Sequence, residues 1–165
     1  MATHVGQIKP NLFLAQHEAY GGPAYYRGGV CTAYCDNAPK DVARHEFYDT
    51  TDLRLQSKAK SKYFIESGAA VLHDELTRCD AKDPVVVSCH AGMNRSGAVM
   101  AAYSIGYLGW EPARVIKYLR TRNLATRDRS AITNHVFEDI LMSIEPYEYV
   151  TNPRTFLPPH LATVT

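Results

Sequence analysis

Four residue types in one short stretch have the right separations for chemistry. Cys89 is followed by Gly92 three positions on, Arg95 six on and Ser96 seven on. Pro84 and three valines, Val85 to Val87, precede them as a short buried strand, and a long apolar segment follows as a helix. A strand–loop–helix of this kind aims backbone N–H groups and a helix N-terminus into one concavity, which suits a phosphate-sized anion. The same setting acts on the thiol. A free cysteine titrates at about pH 8.5, and a helix N-terminus with a nearby cation lowers that value, so Cys89 is expected to be a thiolate nucleophile. Arg95 presents a planar fork that fits two phosphoryl oxygens. Gly92 allows a turn that a side chain would obstruct. Ser96 can donate to the sulfur and make it a better leaving group. Each position thus has a task in phosphoryl transfer through a cysteinyl-phosphate. The competing readings fit less of the pattern. A buried structural cysteine leaves the spacing to coincidence, and Cys89–His90 makes a poor protease pair because adjacent loop residues seldom face each other.

The elements that must hold this loop belong to a chain of 165 residues, 45% apolar, with a net charge of +1. That size suits one domain with a real core, and the charge balance gives no reason to expect a nucleic-acid or acidic-membrane partner. Four cysteines at irregular spacing fit neither a disulfide framework nor a zinc site, and Cys31 and Cys35 read as buried strand residues. The N-terminus has no apolar signal core, and no apolar run reaches the ~20 residues of a membrane span. The expectation is a soluble, cytoplasmic protein. Residues 5–15 read as two short strands around Pro10-Asn11, 29–35 as another strand and 45–48 as a further one. Residues 18–26 are broken by glycine and proline, which leaves room for a short helix only. Ile65, Ala69, Leu72 and Leu76 fall on one face of a helix over 57–77, with Lys58, Lys60 and Lys62 on its solvated side. The stretch 97–108 is apolar all round and reads as a buried helix. Pro112 opens a helix to about 122, and 123–129 reads as a polar connection. Ile132, Val136, Phe137, Ile140, Leu141 and Ile144 mark one face of a last helix, and 147–165 reads as a tail. A departing alkoxide or phenoxide needs a proton donor. Asp49 and Asp52 follow the 45–48 strand; both also suit turn-capping.

The stretch Cys89-His90-Ala91-Gly92-Met93-Asn94-Arg95-Ser96-Gly97-Ala98 resembles the Cys-x5-Arg loop of protein tyrosine phosphatases, in the wording of the dual-specificity branch. It is closest to the poxvirus-type enzymes. It departs from that family at Ser88, where a histidine is usual. Residues 10–15 are similar to the opening strand of dual-specificity domains, and Ile132-Thr133-Asn134 with Phe137 and Leu141 to a segment near their end. The likeness spans roughly 5–144. It implies an α/β cysteine-phosphatase fold: a central, mostly parallel sheet of four to five strands with helices on both faces, over 1–146. It implies that Cys89 attacks phosphorus, that His90, Ala91, Gly92, Met93, Asn94 and Arg95 bind the phosphoryl group, and that Ser96 assists hydrolysis. Asp49 becomes the expected acid, with Asp52 as the alternative; both lie further upstream than is usual. Asn134 is expected to brace the loop, and Ser88 to support it. No metal or other cofactor is expected. The implied substrate is a protein carrying phosphotyrosine, phosphoserine or phosphothreonine. An RNA 5′-triphosphate, a phosphoinositide and a catalytically silent phosphate-binding module are the alternatives. Lipid-phosphatase relatives suggest Cys35 as a disulfide partner for an oxidised Cys89. The oligomeric state is not legible.

Overall fold

Val85, Val86 and Val87 do what three consecutive β-branched residues favour, and the strand they form is the middle of the sheet. The computed structural model describes residues 2–16, 26–34 and 40–147. In chain order these form β1 (Ala2–His4), β2 (Leu12–Gln16), β3 (Gly28–Cys31), β4 (Ala43–Arg44), α1 (Lys58–Arg78), β5 (Val85–Cys89), α2 (Arg95–Leu108), α3 (Pro112–Arg127) and α4 (His135–Met142). The sheet order is β1-β2-β5-β3-β4. Only β1 runs antiparallel to its neighbour. β2 and β3 pair parallel to β5 from either side, with Leu14 and Val30 both opposite Val87.

Both faces of β5 are covered, as expected for a central parallel strand. Val85 and Val87 join Leu12, Leu14 and Val30 in the main core, together with the inward residues of all four helices. Val86 points the other way, onto Ala15, Cys31, Ala33, Val42 and Tyr26. The helices were expected on both faces; among the described residues they lie on one, and loop residues cover the other. No helix of the described residues is long and apolar enough to cross a membrane.

Helix starts follow local chemistry. Ser57 accepts from Lys60 N at the head of α1, Pro112 stands in the first turn of α3, and Asn134 accepts from Val136 N and Phe137 N at the head of α4. Several expected bounds move. The two strands expected within 5–15 fall at Ala2–His4 and Leu12–Gln16, because the residues between them turn, with Ile8 N donating to Val5 O at 2.9 Å and Leu12 N to Lys9 O at 3.1 Å. β3 ends at Cys31 instead of running to residue 35. The strand expected at 45–48 is the two-residue β4, which ends before it. His45 N still reaches Cys31 O at 2.8 Å and Phe47 N reaches Thr32 O at 3.5 Å, but Thr32 O also accepts from Arg95 and the Phe47 carbonyl turns to Arg95. The stretch 123–129, expected to be a connection, is helical to Arg127. Asn123 explains this, because it is a fully buried inward position and not a surface one. Its Oδ1 accepts from Thr3 Oγ1 at 3.0 Å, and its Nδ2 donates to Arg129 O at 2.9 Å. At the far end Tyr147, one residue past the expected domain limit, is buried and donates its N–H to Gly106 O at 2.9 Å.

The Thr3–Asn123 pair joins the first strand to the last turns of α3 across 120 residues. Thr3→Val would leave a buried amide oxygen without its donor, a cost of about 1–3 kcal/mol. Thermal unfolding should therefore show a Tm roughly 3–8 °C lower. An unchanged Tm would mean that the pair contributes nothing to docking α3.

Candidate active site

β5 delivers Cys89 to its C-terminal end, and α2 begins six residues later at Arg95. Cys89 is 2% exposed, with its Sγ 3.2 Å from Ser96 Oγ in the first turn of α2. The connecting loop turns at Gly92, whose φ of +63° favours glycine. A Cβ there would lie 2.6 Å from the carbonyl carbon of Ala15 and 2.2 Å from Arg127 Nη1. The space on that side is already full.

Three successive loop carbonyls are engaged outside the loop. Arg127 donates from Nη2 to Ala91 O at 2.7 Å and from Nη1 to Gly92 O at 3.0 Å, and Ile132 N donates to Met93 O at 3.3 Å. In a trans peptide the N–H points opposite to its C=O, so the amides of Gly92, Met93 and Asn94 face the other way, into the hollow. The N-terminus of α2 opens there too. Asn94 is its N-cap, but the side chain makes no capping bond, which leaves the first-turn N–H groups available to an anion.

Arg95 is pinned by one nitrogen, with Nη1 donating to Phe47 O at 3.0 Å and Thr32 O at 3.5 Å. Its Nε is buried and has no partner among the described residues. A buried charged donor in that state is costly unless something accepts from it, so it suits an oxyanion.

Sequence reasoning missed Arg127, the residue most involved in shaping the loop. Its Nη2 also donates to Gln16 Oε1 at 2.8 Å, tying the loop to the end of β2. Burial lowers its pKa, the charge of Cys89 opposes that, and Arg129 adds to it. The signal was present. Val115, Leu119 and Asn123 form an inward i, i+4 row along α3, and Arg127 is the next member. Ending the helix at 122 hid it. Ile132 was expected only as a core residue. It is fully buried and holds a left-handed φ of +53°, costly for a β-branched side chain. Arg120 holds it there, donating from Nη2 to Ile132 O at 2.7 Å while paired with Glu138 at 2.6 Å.

Of the two candidate acids, the fold brings only Asp49 against the loop. Its Oδ2 accepts from Asn94 Nδ2 and its Oδ1 from Asn134 Nδ2, both at 2.9 Å. Asp52 is gripped by Arg54, which donates from Nε at 3.0 Å and from Nη2 at 2.8 Å, and this holds its carboxyl below the usual range. Asn134, expected as a brace, donates to Asp49 from its side chain and from its backbone N–H to Asn94 Oδ1 at 3.1 Å. His90 is exposed, and Ala91 and Met93 are half-buried. Ser88 is buried in β5, its carbonyl accepting from Thr32 N and Oγ1, both at 2.8 Å. Cys35 lies outside the described residues.

No family model matches the sequence, and no curated protein matches it. Solved structures do match. Their fold is that of the dual-specificity cysteine phosphatases, and this chain shares it. Human DUSP28 superposes with a TM-score of 0.63 at 20% identity, covering 85% of this chain and 89% of its own. A mouse putative dual specificity phosphatase, solved with zinc tungstate, gives 0.61 at 20% identity, covering 93% of both chains. OH1 from the Orf virus, a tyrosine phosphatase with triple substrate specificity, gives 0.54 at 19% identity, covering 86% of this chain and 84% of its own. The poxvirus wording of the loop is thus not matched by a better superposition on the poxvirus enzyme.

If Arg127 turns the loop carbonyls outward, Arg127→Met should release them toward the hollow. Tungstate binding, followed by calorimetry, should weaken about tenfold or more, the equivalent of 1.4 kcal/mol or more. Unchanged affinity would show that the loop holds its shape without Arg127.

Proposed function

We propose that this chain is a cysteine-dependent protein phosphatase of the dual-specificity type, acting on phosphotyrosine and on phosphoserine or phosphothreonine. One observation carries the reading. The Cys89 sulfur lies beside the Ser96 hydroxyl, at a loop with three carbonyls drawn outward, and Arg95 Nε is buried there without a partner. A dianionic phosphoryl group supplies acceptors to all of these donors at once.

In the first step the Cys89 thiolate forms an S–P bond while the ester P–O bond breaks, and Asp49 gives its proton to the departing oxygen. The loop amides and Arg95 bind the equatorial oxygens, more strongly as charge accumulates on them. In the second step water attacks phosphorus, its proton passes to Asp49, and the S–P bond breaks. Ser96 then stabilises the departing thiolate by donating to the sulfur.

The position of Asp49 favours monoesters over an RNA 5′-triphosphate. Alkoxides and phenoxides are poor leaving groups without a proton, whereas a phosphate-chain leaving group departs without one and would leave Asp49 idle. A phosphoinositide reading has no support from the loop, which contains no lysine. Asp52 is the weaker donor, because its bonds to Arg54 favour the ionised form.

Cys89→Ser should abolish turnover of phosphopeptides while still binding tungstate, since Arg95 and the amides remain. Turnover near the wild-type rate would end the covalent mechanism. Arg95→Lys should lose about 100-fold or more in kcat/KM, since an ammonium cannot make the two-pronged contact. Asp49→Asn should slow phosphothreonine peptides by about 100-fold and activated aryl phosphates far less, measured as kcat for the two substrates side by side. The same selectivity in Asp52→Asn instead would move the acid role there.

A further inference from the structure

Asn94 occupies the N-cap of α2 without capping it, and its amide is fully committed elsewhere. Oδ1 accepts three bonds: from Thr133 N at 2.7 Å, Thr133 Oγ1 at 3.1 Å and Asn134 N at 3.1 Å. Three donors on one atom fix which end of the amide is oxygen. The NH2 end therefore points the other way, and it donates to Asp49 Oδ2 at 2.9 Å. Asp49 Oδ1 is held by Asn134 Nδ2 at 2.9 Å, and the same Nδ2 donates to Thr50 O at 3.2 Å. Asn134 is itself fixed by its Oδ1, which caps α4 through Val136 N at 3.0 Å and Phe137 N at 3.3 Å.

We infer that Asn94 is the positioning residue for the acid: its side chain sets where Asp49 stands over the phosphate loop. This rests on the proposed phosphatase reading and on Asp49 as its acid. The geometry gives Asn94 two separable halves. Its backbone belongs to the anion-binding loop, while its side chain joins that loop to the Asp49 segment on one side and to the head of α4 on the other. The backbone leading to Asp49 is held separately, by the buried Phe47 and by Tyr48, whose N–H and C=O both pair with the Gln56 side chain at 3.1 Å; the two amides fix the Asp49 carboxyl itself. A carboxyl held by two fixed NH2 groups meets the substrate already aligned, which is how orientation contributes to rate. Capping α2 would spend the same amide on N–H groups that the phosphoryl group needs.

The test compares phosphothreonine peptide, whose leaving group requires the proton, with para-nitrophenyl phosphate, whose leaving group does not. Asn94→Ala should lower kcat on the peptide about 10- to 30-fold. It should lower kcat on the aryl phosphate only about two- to threefold, with KM and tungstate affinity within about threefold of wild type. In an Asp49→Asn background, adding Asn94→Ala should cost the peptide no more than the aryl phosphate. If Asn94→Ala does not fold, Asn94→Gln carries the same comparison, because its longer chain displaces the NH2 group from Asp49. Equal losses on both substrates, or loss of tungstate binding alongside, would assign Asn94 a merely structural role and overturn the inference. Asp49→Asn run in parallel separates the failures. Selectivity in Asp49→Asn but not at Asn94 sinks this inference alone, whereas no selectivity in Asp49→Asn removes the acid on which both rest. Full turnover by Cys89→Ser would remove the phosphatase reading itself.

Discussion

A peptide chain can bind an anion with its own amides only if the carbonyls of the same stretch are turned away from that anion. That constraint organises this molecule. The loop after β5 meets it with help from distant segments: the guanidinium of Arg127 takes two carbonyls, and the backbone of Ile132 takes a third. The Ile132 φ of +53° is part of the same solution, because a residue in an unfavourable conformation persists only where its surroundings over-determine it. Arg120 supplies that determination, anchored in turn by Glu138 of α4.

The sheet makes the loop rigid from below. Val86 and Ala15 lie on the face that carries Cys89, while Val85 and Val87 lock β5 to the helices on the other. The turn at Gly92 packs directly on the backbone of Ala15, so strand pairing between β2 and β5 is felt at the site with no side chain in between. The buried Asn123 extends that stiffness along α3. An amide satisfied at both ends, by Thr3 and by Arg129 O, fixes the last turn of the helix, where Arg127 emerges.

The sequence made part of this legible. Cys89, Gly92, Arg95 and Ser96 could be read because their spacing is local and each residue type has one obvious use there. The helix head at Pro112 was equally readable, since it is settled within a few residues, whereas the cap that Asn134 supplies to α4 went unread. What stayed hidden depends on distant partners. A polar residue such as Asn123 looks like loop until Thr3 is known to sit opposite it. Phe47 looks like a strand residue until its carbonyl is seen to accept from Arg95. Asn94 looked like one more loop residue, because nothing within the loop reveals that its side chain turns toward Asp49. Asp49 and Asp52 are set apart by distant partners too, since Asn94 and Asn134, 45 and 85 residues further on, both donate to Asp49.

The bonds that shape the loop are also far apart along the chain. Arg127 reaches back 35 residues to Gly92 and 111 to Gln16, and Asn134 reaches back 85 to Asp49. A growing chain that has just emerged past Arg95 therefore holds the whole Cys89–Arg95 loop but none of the residues that turn its carbonyls away. Contacts of such sequence separation form late, after their loop-closure entropy has been met. The loop after β5 thus takes its final shape only once the chain has been made through α4. Until then the carbonyls of Ala91, Gly92 and Met93 lack the partners that turn them outward.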